Sequence, residues 1–345
     1  TYENGKMTSS VDYNGNTTEY MYNSDGDLVQ TKDSLNNITT YSYDDKKRLI
    51  KVTQPSGYAE KYTYDNHNNV TSYTDRNNNK TTNTYDANNN LTETRTGNTT
   101  TSYFYDKEDR LTRIRDGKGQ NIIYGYDKAG NIIRETDKNE NITEYEYDEF
   151  NRLVRQKKGD AITTYTLDYT DKLVGVTDTY SNITAYTYDD MGNMTKAVNA
   201  MGQETSMSYD AGGNLITVTS PMGHTLNYTY DFRGNVLTQT DANGNATVYE
   251  YDGNGNLIKV TDSLDGVTEY TYDALNRHTS VKNANGNTIT YTYDDENNAS
   301  SITLPTAQVY SYTYDGNGNV LTANEGSGLV TATYDYNNKP LTITD

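Results

Sequence analysis

Along the stretch Glu269–Arg277, EYTYDALNR, tyrosine alternates with a polar residue and then gives way to aspartate. The same order of aromatic and polar positions returns at KYTYDNHNN from Lys61, EYEYDEFNR from Glu144, AYTYDDMGN from Ala185, NYTYDFRGN from Asn227 and YTYDGNGN from Tyr312. Successive side chains leave opposite faces of a strand, so alternation with period two marks a strand with one face on a packed layer. The spacing predicts a strand of the form Thr-x-Tyr-x-Tyr, as in Thr268–Tyr272, with both tyrosines on one side. A second strand follows, with branched residues two apart: Ile50 and Val52, Val174 and Val176, Ile216 and Val218, Ile258 and Val260. Turn signals of one chemistry separate the strands. Asp189–Asn193 and Asp231–Asn235 follow first strands; Asp12–Asn16, Asp241–Asn245 and Asn283–Asn287 follow second strands. Asp or Asn opens a type I turn well, and Gly or Asn accepts the left-handed position that closes such a hairpin with a bulge. The aspartate after the tyrosines is thus read as a turn residue.

With the second tyrosine of each string as zero, seventeen registers run from Tyr2 to Tyr334 at intervals of 20 or 21 residues. Leu167 stands in for tyrosine once, and Glu3 and Asn23 replace the following aspartate. A period of this length means one supersecondary unit repeated. The fold class is therefore all-β: about 17 consecutive β-hairpin units of 20–21 residues, about 33 short strands, and no helical pattern. Strongly twisted open sheets rarely exceed about ten strands without curling or splitting. Physics leaves open a wide curved or spiralling antiparallel sheet and a compact β-solenoid with one hairpin per rung. Residues 1–345 read as a single continuous array, a fragment of a larger protein, because the opening TYENGKM already looks like the inside of a repeat.

Composition changes this picture little. Leu, Ile, Val and Phe total 53, a low content that with high charge signals disorder. The 36 tyrosines answer it, since each can bury a large ring while its hydroxyl finds a partner. The formal charge of −19 argues against nucleic acid and anionic membrane surfaces, both of which need a basic patch. The chain has no cysteine, hence no disulfide framework, thiolate metal site or cysteine nucleophile. No apolar run reaches the roughly 18–20 residues that span a bilayer, and no signal peptide is visible at Thr1. No membrane insertion is expected.

The string Y-x-Y-D-x-x-G-N/R-L followed by T-D-x-x-G-N, in phase from Tyr2 to Asp345, resembles the YD-repeat or Rhs-repeat family. That family includes bacterial Rhs and wall-associated polymorphic toxins, the shell component of insecticidal toxin complexes, and teneurins. The resemblance implies hairpins wound into a spiralling sheet that closes a hollow shell, around a toxin domain in the bacterial members. It implies a secreted or surface protein, bacterial by expectation, whose partners are the rest of its parent chain: toxin cargo, plug or core domains. This sequence lacks the Rhs core signature, a toxin domain and a plug, and stops at LTITD after a second strand. The expected role is non-catalytic wall material. An extracellular adhesion or fibre module, carbohydrate-binding or self-assembling end to end through sheet edges, is the alternative.

No catalytic, cofactor-binding or metal residue is assigned, and no cofactor is expected. His67 and His224 lie in or beside turns, and His278 takes the usual leucine position; none recurs at a ligand or triad spacing. Asp252–Asn256 and Asp315–Asn319, both DGNGN, faintly resemble the start of a calcium loop. They lack its Gly at position six and Glu at twelve, where Leu257 and Ser263, or Val320 and Gly326, stand. Triplets Asn-x-Ser/Thr at Asn16, Asn37, Asn69, Asn141, Asn182 and Asn227 arise wherever a turn Asn precedes a strand Thr. If the tyrosines form a buried layer, Tyr251→Ala or Tyr272→Ala should cost about 3–5 kcal/mol, and a change at Asn254 much less.

Overall fold

A computed structural model describes every residue except Ser327. Among the described residues all regular structure is β: 35 strands, mostly of five or six residues, from Tyr2–Glu3 to Pro340–Thr344. Seventeen registers of two strands give 34, and the break of the opening hairpin into Tyr2–Glu3, Lys6–Met7 and Ser9–Val11 adds one more. The fold divides into two compact units, one of Thr1–Tyr85, Thr94–Asn98 and Tyr249–Asp345, the other of Asp86–Glu93 and Thr99–Val248.

In the second unit each strand pairs antiparallel with the one before and the one after. Leu111–Arg115 lies between Thr99–Tyr105 and Asn121–Tyr126, and the pattern continues through Val236–Thr240. The first unit repeats this in two runs, from Ser9–Val11 to Lys80–Tyr85 and from Leu257–Thr261 to Pro340–Thr344. Pairing between chain neighbours on both sides builds a continuous sheet, not rungs of a solenoid.

The hairpin geometry follows from the turn residues. In Asp127–Asn131 the Gly130 N–H donates to Asp127 O (3.3 Å) and the Asp127 N–H to Asn131 O (3.0 Å), with Gly130 at φ 94°. This is a three-residue loop with a bulge, and the register shifts at the tyrosine: Gly125 faces Arg134, whereas Tyr126 faces Ile132. Where the interval shortens to 20 residues after Tyr147, the second turn has only two residues. Lys158 pairs with Ala161 across Gly159 and Asp160.

Burial alternates as expected: Ile183–Tyr188 reads exposed, half-buried, three times over, with Tyr186 and Tyr188 on the half-buried face. The expected buried tyrosine layer is not there. Among the described residues no apolar side chain is fully buried, and Ser72, 5% exposed, is the sole buried polar one. The units are single sheets, so each ring packs on strand neighbours but has no second layer over it.

Candidate functional site

The chemistry of this chain is concentrated in its turns. Many turn aspartates use both oxygens within the turn, whereas Asp168, Asp262 and Asp335 accept on Oδ1. In Asp65–Asn69, Oδ1 accepts the N–H groups of His67 (2.8 Å) and Asn69 (3.0 Å), and Oδ2 accepts the Asn69 side-chain amide (2.9 Å). The Asn69 side-chain hydrogen bond, helped by the two backbone N–H groups, holds the Asp65 carboxyl below its ordinary range. Where arginine replaces that asparagine, as at Asp44, its guanidinium does the same. These carboxylates accept hydrogen bonds from their own turns, in keeping with the reading of aspartate as a turn residue.

The register tyrosine carries a second function that its spacing did not reveal. At fourteen registers among the described residues its hydroxyl donates to a backbone carbonyl 14 or 15 residues earlier, in the preceding hairpin. Tyr188 to Leu173 O (2.8 Å) and Tyr272 to Leu257 O (2.8 Å) are examples. The residue after the left-handed position forms another stitch. Arg152 Nη1 reaches Asp168 O (2.8 Å) and Asp171 Oδ1 (2.8 Å) of the next hairpin, and Asn131 Nδ2 reaches Asn151 Oδ1 (2.8 Å). The guanidinium of Arg48 also lies 4.7 Å from the centre of the Tyr64 ring. At several first turns the Asn or Arg of the motif is thus a donor that ties the turn to the next one of its kind.

Within the first unit the second turns of the N-terminal run meet the first turns of the C-terminal run. Asn14 Nδ2 donates to Asp252 Oδ2 (2.9 Å) and Asn254 Nδ2 to Asp12 Oδ2 (2.8 Å). Asn77 with Asp315 and Asn317 with Asp75 repeat this reciprocal pairing, both at 2.8 Å. Between them Arg76 bridges Glu60 and Glu296, each at 3.0 Å. Asn254 also reaches Asn276 (2.8 Å) and so holds more than a turn residue's place.

The residues weighed in the sequence are not gathered into a reactive site. The His67 and His224 N–H groups donate within their turns, to Asp65 (2.8 Å) and to Ser220 Oγ (3.2 Å). The His278 ring lies 4.4 Å from Tyr272 and 5.8 Å from Tyr270. No group of three or more metal-ligating side chains occurs among the described residues. Of the glycosylation-type asparagines, Asn16, Asn37, Asn69, Asn141 and Asn182 all donate their amides to their own turn aspartates.

Fold and turns together define a β-hairpin repeat protein stitched from hairpin to hairpin. The family model described as RHS Repeat matches residues 22–59, 43–80, 85–121, 126–163, 209–246, 230–264, 251–288, 272–307 and 293–330. The chain belongs to the RHS repeat family. No curated protein matches it. Among solved structures it is similar to TcdB2-TccC3, with a TM-score of 0.80 at 17% identity over 95% of this chain. It is also similar to the Photorhabdus luminescens Tc holotoxin pore carrying a TccC3 mutation, with a TM-score of 0.74 at 16% identity over 95% of this chain. A third is TcdB2-TccC3 without its hypervariable C-terminal region, at TM-score 0.75 and 16% identity over 96%. The fold is shared with these structures, and this chain spans 22%, 22% and 23% of their respective lengths.

Proposed function

We propose that this array is a non-catalytic structural section of a YD-repeat shell, which encloses or scaffolds the toxin domain of a larger secreted or surface bacterial protein. The observation that carries this reading is the edge-to-edge hydrogen bonding in the first unit, where turns far apart in sequence clasp each other. Such clasps let one run of hairpins continue the wall begun by another without any second layer. Membership of the RHS repeat family and the fold shared with the TcdB2-TccC3 structures support it. In this reading residues 1–345 act as one continuous array, with no catalytic, metal or cofactor residue, and the turn carboxylates serve to hold turns and to join them. Its partners are the other parts of the parent chain. The net charge of −19 keeps it from nucleic acid and anionic membranes. Electron microscopy of the full-length parent tests this. A closed hollow particle with density inside is the expected result; extended rods or filaments would overturn encapsulation in favour of a fibre or adhesion module.

A further inference from the structure

The two DGNGN strings, Asp252–Asn256 and Asp315–Asn319, lie where the two runs of the first unit meet. Asn14 with Asn254, Ser34 with Ala274, and Ser56 with Glu296 are all hydrogen-bonded pairs separated by 240 residues. The hairpins are so alike that hydrogen bonding alone would allow the same edges to meet one repeat out of step. Something must choose the offset.

The turn tips differ in size in a complementary order. A Cβ at Gly253 would lie 2.7 Å from Tyr13 O, and one at Gly316 would lie 2.8 Å from Arg76 O and 2.7 Å from the Tyr58 ring. At the next pair along, the relation reverses: a Cβ at Gly97 would lie 2.7 Å from the Tyr336 ring. Between the first two pairs stand Ser34 opposite Ala274, with Ser34 Oγ donating to Ala274 O at 2.9 Å, and Pro55 at the offset of Asp295. Ala274 carries the Cβ that Gly253 lacks, so a slip by one repeat would press it into the Tyr13 carbonyl. The same slip brings Arg76 to the tip that carries Tyr336. A slip the other way sets Arg76 against Asp295, which again has the Cβ that Gly316 lacks. A gap under 3 Å to a backbone oxygen cannot be relieved by rotating a side chain; the edges must part, and the reciprocal Asn–Asp pairs on either side would break.

We propose that the tip residues Gly253, Gly316 and Tyr336, opposed to Tyr13, Arg76 and Gly97, form a size code that selects the 240-residue offset. In this code the DGNGN string is an edge-docking signature: its first Gly admits the opposing backbone and its first Asn closes the reciprocal clasp. The code specifies which turn of another hairpin run this edge accepts, and it does not depend on what the array encloses.

The absence of cysteine makes the test direct. Ser34→Cys with Ala274→Cys places thiols in register, and Ser34→Cys with Asp295→Cys places them one repeat out, about 10 Å away for two strands. After mild oxidation of the full chain, the in-register pair should form at least tenfold more disulfide by gel shift and peptide mass. Adding Gly253→Leu and Gly316→Leu should lower that yield at least tenfold while the far-ultraviolet β signal persists. If those leucines unfold the chain, Asn14→Ala with Asn77→Ala adds no bulk; it should lower the in-register yield by loosening the clasps and leave the out-of-register one low, because the tips that reject a slip are unchanged. Equal yields from the two cysteine pairs, or an in-register yield unmoved by the leucines, or unmoved by the alanines where these replace them, would overturn the proposal.

Discussion

A turn aspartate in this chain makes three hydrogen bonds to its own loop, and a register tyrosine makes one to the hairpin before it. These two residues account for the YD pair chemically. Removing only the hydroxyl, as in Tyr188→Phe, leaves the ring and orphans a half-buried carbonyl, which should cost about 0.5–1.5 kcal/mol. Tyr272→Ala also loses ring packing. Because that ring is half-buried on a single sheet, the expected cost is about 2 kcal/mol, below the 3–5 kcal/mol of a closed core. Urea unfolding of both variants checks the order, and equal losses would mean the ring contributes nothing beyond its hydroxyl. The face on which the tyrosines lie was legible from alternation. The hydroxyl's partner was not, because a carbonyl 15 residues away comes within reach only after the bulge sets the strand register.

At the scale of the hairpin, turn chemistry and loop length decide the geometry. Most left-handed turn positions hold Gly or Asn, the residues that tolerate positive φ best, but Ala307 sits at φ 64° in the turn Leu304–Gln308. An L-residue with a Cβ is strained there by about 1–2 kcal/mol. Ala307→Gly should therefore stabilise the chain, by about 0.5–1 kcal/mol once glycine's greater freedom when unfolded is subtracted. A higher urea midpoint with an unchanged slope is the expected measurement; a lower midpoint would show the strain to be absent. The strand positions and both turn types were readable from sequence. The intervals of 20 residues were visible as numbers, but their cause after Tyr147, a two-residue turn at Gly159–Asp160, needed the pairing of Lys158 with Ala161.

For the molecule as a whole, stability is a sum over many similar hairpin interfaces, as in other repeat proteins, and among the described residues no apolar side chain is fully buried. This ties it to pH through the turns. The Asp44, Asp65, Asp127 and Asp148 carboxyls are held low by side-chain hydrogen bonds from Arg48, Asn69, Asn131 and Arg152. A carboxyl whose folded pKa is depressed adds stability that is full above the unfolded value, about 3.9, and is lost as pH falls through the folded one. Tyrosines shift the other way: burial, then the neighbouring Glu60, pushes Tyr62 up to about 12, and burial, then Glu325, does the same for Tyr312. Their contribution is full below the unfolded value of about 10 and falls as pH rises towards 12. Thermal unfolding at constant ionic strength should show a plateau from about pH 5 to 9 with a decline on each side. A midpoint that kept rising below pH 4 would contradict the acid arm.

The sequence by itself determined the local architecture. Period-two tyrosines, the Asp-x-x-Gly-Asn turns and an interval of 20 or 21 residues suffice for a strand, a bulged turn and their repetition, because each depends on residues only a few positions apart. The tertiary structure decided what lies beyond one hairpin. The hydroxyl and arginine stitches, the half-burial of the tyrosine rings and the clasp of Asp12 with Asn254 all depend on which backbones approach one another. Near-identical repeats encode such approaches only through small differences at turn tips. Gly253 reads as an ordinary turn glycine until Tyr13 O is found 2.7 Å from the place its Cβ would take.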